Sequence, residues 1–363
     1  MALEPYKLED QGTASTSASD STSPSRPVYV LIDHQLDARY IEQIEAASPN
    51  ARVLTTFPNT GVADPMRGAE NARRLEGKQL DEVLGQAEVL FAFGFPVEWL
   101  HKAPRLKWVQ LASAGSDQMQ RAGIFDLRPD LVLTTSSGVH EVPISEHIVG
   151  MLLYFARSFQ VAVRNQPGHK WERYQANEAA GRTVCFIGYG PIARRAAFLC
   201  KTLGMRVLVV RASIAEEQPG SEHVDRYYPG AMLDPALAQS DYIVVAAPRT
   251  PATEGMIGRE QLASAKEGAV LINISRGALV DEEAMIEALR EGKLGGAGLD
   301  VFREEPLPAD SPLWDMPNVL VTPHVSGSSP HYNERATAIF ADNLSRYTRG
   351  EPLRNMVIKE RGY

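Results

Sequence analysis

Short apolar runs alternate with segments of helical periodicity along most of this chain. In the first third, runs rich in Val, Ile, Leu and Phe predict strands at 28–32, 53–55, 89–93, 106–111 and 131–134. Helical patterns lie at 39–47 and in the segment that ends at 81–85. Strands that alternate with helices favour a parallel sheet, so this block is predicted to be an α/β unit.

A long amphipathic segment separates this block from a second one. We predict a helix over 145–158, because Ser145 and Glu146 favour a helix start. The apolar positions that share one face of this helix are Ile148, Met151, Leu152 and Phe155. Further strands are predicted at 184–187, 206–210, 242–246, 270–274, 296–301 and 319–321, with helices near Leu237, at 259–264 and at 282–291. This succession matches a complete doubly wound sheet. A last helix, 333–346, is expected to pack on the first block.

Composition narrows the classes of partner. Hydrophobic residues make up 44% of the 363 residues and charged residues 23%, as in ordinary globular proteins. The formal net charge of −8 argues against nucleic acid as a partner, and no apolar run is long enough to span a membrane. The two cysteines, Cys185 and Cys200, lack metal-type spacing, which favours a reducing, cytoplasmic location and no bound metal. Residues 1–26 are rich in Ser, Thr, Ala and Pro and are predicted to be a disordered tail.

A glycine turn follows the strand at 184–187. Gly188 would permit the tight turn, Gly190 would let the backbone approach a pyrophosphate, and Ala193 would let the next helix pack closely. The predicted contacts of this turn with a dinucleotide are Gly188, Tyr189, Gly190, Pro191 and Ile192. The fold is therefore predicted to be α/β, with two Rossmann-like or flavodoxin-like domains. The dinucleotide-binding domain, 136–324, is inserted into a substrate domain formed by 27–135 and 325–363.

Four separated motifs resemble the D-isomer-specific 2-hydroxyacid dehydrogenase family, in particular its glyoxylate and hydroxypyruvate reductases. They are Gly-Tyr-Gly-Pro-Ile-Ala at 188–193, Ile-Asn-Ile-Ser-Arg-Gly at 272–277, Gly-Leu-Asp-Val-Phe-Arg-Glu-Glu-Pro at 298–306 and Thr-Pro-His-Val-Ser-Gly at 322–327. The resemblance covers about 28–355. It implies an NAD(P)-dependent oxidoreductase that interconverts small 2-oxo acids and D-2-hydroxy acids, acting as a homodimer.

Reducing a 2-oxo acid requires a proton donor and a cation for the substrate carboxylate, besides a hydride. His324 follows a predicted strand. An imidazole ordinarily gains and loses its proton near neutral pH, which makes histidine a suitable proton donor. Glu305 would orient the ring and favour its charged form. Arg276 offers a fork of donors for the carboxylate. We predict these three as the catalytic residues, since all lie at carboxyl ends of strands in one sheet.

The resemblance also implies substrate-binding loops in the first block. The segment that begins at Phe93 and the Ala114-Gly115 pair resemble loops whose backbone N–H groups receive the substrate carboxylate. The predicted substrate contacts are Gly94, Phe95, Ala114, Gly115 and Arg276. His140, His147 and Trp171 are interpreted as helix-packing or interface residues.

Further cofactor contacts are predicted at later strand ends: Pro248, Ile274, Ser275, Asp300 and His324. The family places Asp300 near the nicotinamide, although an Asp at a strand end can equally cap the next turn.

The end of the second strand of this block distinguishes NADP from NAD. An NAD enzyme would carry an acidic residue there, whereas this chain has Arg211, with Ser213 close behind. A cation at that position can meet a 2′-phosphate, so NADP is favoured and NAD is the alternative. Under the alternative, Arg211 is a solvated strand end and Glu216 or Glu217 binds the ribose.

The same fold also supports other functions. A formate dehydrogenase of this fold is expected to carry Gln at the position of Glu305, so this activity is disfavoured. A phosphoglycerate dehydrogenase often carries an additional regulatory domain, although short forms exist. Relatives that sense nucleotides as co-regulators, without turnover, are the alternative from another class.

Overall fold

The computed structural model describes residues 26–57 and 74–359. The predicted disordered tail therefore lies outside the described residues except for Arg26, whose guanidinium pairs with Glu88. Residues 360–363 of the predicted substrate domain also lie outside them.

The first part of the chain forms a parallel sheet, called here the first sheet. Its strands are β1 Val28–Asp33, β2 Ala51–Thr55, β3 Val89–Ala92, β4 Trp108–Leu111 and β5 Val132–Thr134. The helices among them are α1 Ala38–Ala47, α2 Gly77–Gln86, α3 Trp99–Lys102, α4 Asp117–Arg121 and α5 Ile124–Leu127. Within the described residues the strand order is β2-β1-β3-β4-β5, as in flavodoxin-like sheets.

Two helices connect this sheet to the next, α6 Glu141–Ala156 and α7 Phe159–Asn165. The predicted apolar face of α6 is confirmed, because Ile148, Met151, Leu152 and Phe155 are all buried. The predicted start at Ser145 is wrong: the helix begins four residues earlier, with Pro143 in its first turn, where a proline is tolerated. Ser145 instead donates its hydroxyl to the Val142 carbonyl.

The following residues form the second sheet. Its strands are β6 Thr183–Ile187, β7 Arg206–Arg211, β8 Gln218–Ser221, β9 Val224–Pro229, β10 Tyr242–Val245, β11 Ala269–Asn273, β12 Leu294–Leu299 and β13 Val319–Val321. The helices are α8 Pro191–Thr202, α9 Leu233–Leu237, α10 Arg259–Ser264, α11 Glu282–Arg290 and, after β13, α12 Tyr332–Arg349. Short 3-10 turns lie at Gln166–Gly168, Gly230–Met232, Gly277–Leu279 and Pro312–Trp314.

The second sheet has the order β13-β12-β11-β10-β6-β7-β9-β8 within the described chain. The prediction of six strands missed β8 and β9, which pair antiparallel with each other and extend the edge beyond β7. β8 is short, exposed and contains Pro and Gly, so it has no apolar pattern to detect. Strand order reverses between β6 and β10, which is where open α/β sheets bind ligands.

The last helix returns to the first sheet, as predicted. α12 packs on α1, and the ring of Phe340 stacks on that of Phe91 at 4.4 Å between centroids. α6 instead packs on α8 and contributes to the core of the second sheet. The α/β fold with two parallel sheets is confirmed, and the domain boundaries at 135/136 and 324/325 stay a prediction.

Candidate active site

The turn after β6 packs directly on the loop after β10. Gly188 has φ +95°, and a Cβ there would lie 2.8 Å from backbone atoms of Ala246 and Ala247. Its N–H donates to the Val210 carbonyl at 2.9 Å, so the turn also touches the end of β7. A side chain at this position is therefore excluded both by conformation and by space.

The same turn fits the pyrophosphate of a dinucleotide. Apart from Gly190 and its two neighbours in the chain, no described residue has a heavy atom within 4 Å of the position that a Cβ would take at Gly190. α8 begins at Pro191, so its first-turn N–H groups face this space. Tyr189 places its ring 5.6 Å from that of Tyr227, and Ile192 is half-buried against the core.

Arg211 and Ser213 lie together at the carboxyl end of β7. The Nε of Arg211 donates to the Ser213 hydroxyl at 3.0 Å. Of the acidic residues weighed against them, Glu217 pairs with Arg226 next to β8, and Glu216 is exposed. This end of the strand therefore presents a guanidinium and a hydroxyl beside the glycine turn.

The predicted cofactor contacts in the loops after β10 and β11 differ in burial. Pro248 is exposed, and its carbonyl accepts the Thr253 hydroxyl at 2.7 Å. Ile274 is buried in the core, so only its main chain can face a ligand. The Ser275 hydroxyl donates to the Ala247 carbonyl, which ties the loop after β11 to the loop after β10.

His324 lies just beyond β13 and is held by a carboxylate. Its Nδ1 lies 2.7 Å from Oε2 of Glu305, and Oε1 of Glu305 accepts the N–H of Phe302 at 2.9 Å. His324 adopts φ +53°, an uncommon conformation for a residue with a side chain. Both side chains remain substantially exposed, at 49% and 36%, so the pair is accessible from solvent.

Asp300 organises residues 322–327, called here the His324 loop. Its fully buried carboxylate accepts the Thr322 hydroxyl at 2.6 Å and the N–H groups of Val325 and Ser326, each at 2.9 Å. The Nε2 of His147 in turn donates to Thr322 at 3.2 Å. The turn-capping alternative for Asp300 is thus observed, and its contact with a nicotinamide stays a prediction.

Arg276 is held in place by its neighbours. The Asn273 side chain donates to the Arg276 carbonyl and accepts the Ser275 N–H, both at 3.1 Å. A Cβ at Gly277 would lie 1.9 Å from the carbonyl carbon of Phe302. The loop that carries Arg276 therefore packs backbone to backbone on the loop that carries Glu305.

The guanidinium of Arg276 also reaches the first sheet. Its Nη2 donates to Oδ1 of Asp117 at 3.0 Å, and its Nη1 donates to the Ser275 carbonyl at 2.8 Å. Burial raises the pKa of Asp117, but the charges of Arg276 and Arg121 outweigh it and hold the pKa below its usual value. Asp117 is therefore ionised at neutral pH.

Four of the five predicted substrate contacts, all except Arg276, lie in loops after β3 and β4. A Cβ at Gly115 would lie 2.4 Å from Nη2 of Arg276, so this loop touches the guanidinium. Gly94 and Ala114 are half-buried. The side chain of Phe95 is buried near Trp99, which leaves its main chain to face a ligand, as the sequence analysis assumed.

His140, just before α6, and His147, within it, both contact the His324 loop. The Nδ1 of His140 donates to the Gly327 carbonyl at 3.2 Å. Burial lowers the pKa of His140, and this hydrogen bond opposes the shift only in part.

Trp171 is 94% exposed, so its interpretation as a helix-packing residue is wrong, and an interface role stays a prediction.

Sequence reasoning missed Asp117, Asn273 and Thr322. Asp117 directly follows the predicted substrate loop and starts a helix, which was a usable signal. Asn273 and Thr322 stood within two of the motifs, but nothing in the sequence showed what their side chains would hold.

The described residues offer neither a membrane-spanning helix nor a metal cluster. No helix in 26–57 or 74–359 is both long and apolar enough to cross a membrane. The same residues contain no group of three or more His, Cys, Asp or Glu that could hold a metal ion.

Residues 149–326 match the family model described as "D-isomer specific 2-hydroxyacid dehydrogenase, NAD binding domain". The chain is 36% identical over 297 residues to glyoxylate/hydroxypyruvate reductase B of Pectobacterium carotovorum, covering 76% of this chain and 86% of that protein. It is 33% identical over 265 residues to D-3-phosphoglycerate dehydrogenase of Archaeoglobus fulgidus, covering 72% of this chain. The match spans only about half (49%) of the length of that dehydrogenase.

Solved structures agree with these matches. The D-isomer-specific 2-hydroxyacid dehydrogenase of Xanthobacter autotrophicus, in complex with NADPH and MES, superposes with a TM-score of 0.76 at 29% identity, covering 93% of this chain and 100% of that one. The NADPH-dependent glyoxylate/hydroxypyruvate reductase of Sinorhizobium meliloti, in complex with NADP and sulfate, gives 0.73 at 29% identity with the same coverage. With its two sheets, its glycine turn and its relatives, this chain belongs to the D-isomer-specific 2-hydroxyacid dehydrogenase family.

Proposed function

We propose that this protein is an NAD(P)-dependent oxidoreductase that interconverts small 2-oxo acids and D-2-hydroxy acids. The observation that carries the proposal is the linkage of three side chains from separate loops of one sheet edge. Glu305 holds His324 at 2.7 Å, and Gly277, next to Arg276, packs on Phe302, whose N–H binds Glu305. Some relatives match this chain over most of their own length, and their names support the same activity.

The roles that we assign follow from the chemistry of each group. The glycine turn and the start of α8 would hold a dinucleotide whose nicotinamide would supply the hydride for C2 of the oxo acid. His324 gives a proton to the oxygen at C2 through Nε2, since Nδ1 is held by Glu305. Arg276 binds the substrate carboxylate with remaining N–H groups of its guanidinium. The main chain at Gly94, Phe95, Ala114 and Gly115 lines the same carboxylate site.

NADPH and NADH oxidation with a panel of 2-oxo acids tests this function. We expect turnover by the wild type and a decrease in kcat of about 10²–10⁴-fold in His324→Ala, the range for loss of a general acid. His331→Ala is the matched control, because His331 is exposed and pairs with Glu334 in the first turn of α12. Turnover unaffected by His324→Ala would contradict the proton-donor role. No turnover of any 2-oxo acid would favour a nucleotide-sensing binding protein.

NADP is the proposed cofactor, with NAD as the alternative. The proposal is supported by the Arg211–Ser213 pair at the end of β7 and by the pairing of Glu217 with Arg226. The solved relatives hold NADPH and NADP, in agreement with it. A 2′-phosphate would form charge-assisted hydrogen bonds with Arg211.

Binding titrations of NADPH and NADH test the cofactor. We expect the wild type to prefer NADPH, and Arg211→Gln to weaken NADPH at least about tenfold while leaving NADH almost unchanged. Arg206→Gln is the matched control, since Arg206 lies at the opposite end of the same strand. A wild-type preference for NADH would reject the assignment.

We further propose that the protein is a homodimer. The proposal is supported by exposed apolar side chains on α7 and in the segment after it: Phe159, Val163, Trp171 and Tyr174. Light scattering after size exclusion would measure the mass, and Val163→Asp with Trp171→Arg should yield monomers. A monomeric wild type would contradict the proposal.

Two further assignments remain proposals. A cytoplasmic location is supported by the free and buried state of Cys185 and Cys200. The insertion of 136–324 into a domain formed by 27–135 and 325–363 is supported by the packing of α6 on α8 and of α12 on α1.

A further inference from the structure

One ion pair at the site has no role in the chemistry assigned above. Asp117 begins α4 on the first sheet, and Arg276 follows β11 on the second, yet their Oδ1 and Nη2 atoms lie 3.0 Å apart. The other oxygen of Asp117 accepts Nη2 of Arg121 at 3.2 Å. Asp117 is thus a carboxylate shared between the guanidinium proposed to bind substrate and a second arginine on its own helix.

This pair lies against the loop proposed to receive the substrate carboxylate. A Cβ at Gly115 would lie 2.4 Å from Nη2 of Arg276 and 3.2 Å from Oδ1 of Asp117. The Ser113 hydroxyl closes the loop by donating to the Gly115 carbonyl at 2.8 Å. A substrate carboxylate bound to Arg276 and to this main chain would therefore have the Asp117 carboxylate as an immediate neighbour.

The electrostatic consequence depends on the charge of the substrate. The carboxylate of a monoanionic 2-oxo acid is attracted by Arg276 and repelled by Asp117, so the two charges partly offset each other. A substrate with a second anionic group adds a second repulsion, because like charges a few ångströms apart interact by about 1 kcal/mol or more even when well screened. The orientation of Arg276 benefits from Asp117 in both cases, since the pair and the Ser275 carbonyl fix both Nη atoms.

We propose that Asp117 is a positioning residue for Arg276 whose charge makes the site select 2-oxo acids with a single anionic group over dianionic ones. This inference rests on the proposed function and adds the substrate class to it. It assigns to the first sheet a contribution to specificity that acts through the guanidinium rather than through contact with the substrate side chain.

The test compares two substrates of equal chain length, 2-oxobutyrate, a monoanion, and oxaloacetate, a dianion. The measured quantity is the ratio of kcat/KM for oxaloacetate to that for 2-oxobutyrate. We expect Asp117→Asn to raise this ratio about tenfold over the wild type. Asp117→Glu, which keeps the charge, should leave the ratio within about threefold of the wild type. Asp130→Asn is the matched control, because Asp130 pairs with Arg128 at an exposed turn, and it should leave the ratio unchanged.

A second variant covers the case in which Asp117→Asn fails to fold. Arg121→Gln removes the cation on the far side of Asp117 and should lower the ratio severalfold. Where turnover of oxaloacetate is too slow to measure, the inhibition constants of the two compounds against glyoxylate give the corresponding ratio of affinities, in which the same directions of change are expected.

The outcomes distinguish this inference from the function on which it rests. No turnover of any 2-oxo acid by the wild type would contradict the proposed function. Wild-type turnover with the same ratio in Asp117→Asn, or in Arg121→Gln, would contradict the role of Asp117 alone. A uniform decrease in kcat/KM for both substrates, with an unchanged ratio, would show positioning without selectivity and would overturn the inference.

Discussion

The Nδ1 atom of His324 lies 2.7 Å from Oε2 of Glu305, while the other oxygen of that carboxylate is bound by the N–H of Phe302. The carboxylate is thus fixed from both sides before it orients the imidazole. The ring position depends on three loops, because Phe302 itself packs on Gly277 and the His324 loop is held by Asp300.

Replacing Glu305 by Gln keeps the shape of the side chain and removes its charge. We expect kcat to fall by about 10–100-fold, which is less than the decrease expected when the general acid itself is removed. Cofactor affinity should be unchanged. Steady-state kinetics and a cofactor titration measure the two quantities. Glu304→Gln, the same change at the exposed neighbouring residue, should leave kcat within about twofold. Equal effects of the two changes would contradict the role of Glu305.

Asp300→Asn should destabilise the His324 loop, because it weakens the hydrogen bonds that hold this loop. The buried carboxylate accepts three donors, and an amide turns one acceptor into a donor that faces an N–H or a hydroxyl. We expect a loss of about 2–4 kcal/mol in the free energy of unfolding and a lower kcat/KM. Denaturant titration measures the first quantity. Asp310→Asn, at an exposed loop position, serves as the control, and an equally small effect at both sites would contradict the prediction.

Gly277→Ala should separate the loops that carry Arg276 and Glu305. The new Cβ would overlap the main chain of Phe302, which cannot rotate away as a side chain could. We expect a destabilisation of about 3 kcal/mol or more, and a loss of activity of at least about 100-fold. Gly150→Ala is the contrasting variant, since Gly150 lies within α6 and, apart from its chain neighbours and the helix backbone, no described atom lies within 4 Å of the position of the new Cβ. It should be neutral or stabilise the protein by up to about 1 kcal/mol.

Buried histidines should make the fold sensitive to acid. Burial lowers the pKa of His34, His140 and His147 below 6.5, and their hydrogen bonds or nearby carboxylates oppose this only in part. Well above pH 6.5, the ordinary pKa of histidine, these groups are neutral in both states. As pH falls below 6.5, the unfolded chain binds protons that the folded protein resists, so stability is lost.

Urea unfolding between pH 7.5 and 5 would measure this loss. His34→Gln, whose amide can still donate to Asn333, should flatten the pH dependence, whereas exposed His101→Gln should not. A stability that rises on acidification over this interval would contradict the prediction.

Local pattern was sufficient for most of the fold and for part of the site. The glycine turn and the short apolar runs of the strands are local features, so Gly188 and the strand ends that carry Arg276 and His324 could be found from the sequence. Their role assignments came from the four motifs together. The start of α6 was predicted four residues too late, because Ser145 and Glu146 favour a helix start, whereas the helix begins at Glu141 and accepts Pro143 in its first turn.

The remaining features depend on tertiary proximity that no spacing encodes. Arg276 and Asp117 are 159 residues apart in the chain, and their contact follows from how two sheets face each other. The approach of Gly277 to Phe302 likewise arises from the packing of two loops. Neither contact leaves a periodic signal.

The return of α12 to the first sheet has a consequence for biosynthesis. Phe91 emerges from the ribosome early, but its stacking partner Phe340 is made only after the entire second sheet. The strands and helices of the second sheet, from α6 to β13, are contiguous and can complete their core as soon as they are synthesised. Of the two sheets, the one translated first is therefore the one whose core is completed last, and its apolar face stays uncovered until α12 has been synthesised.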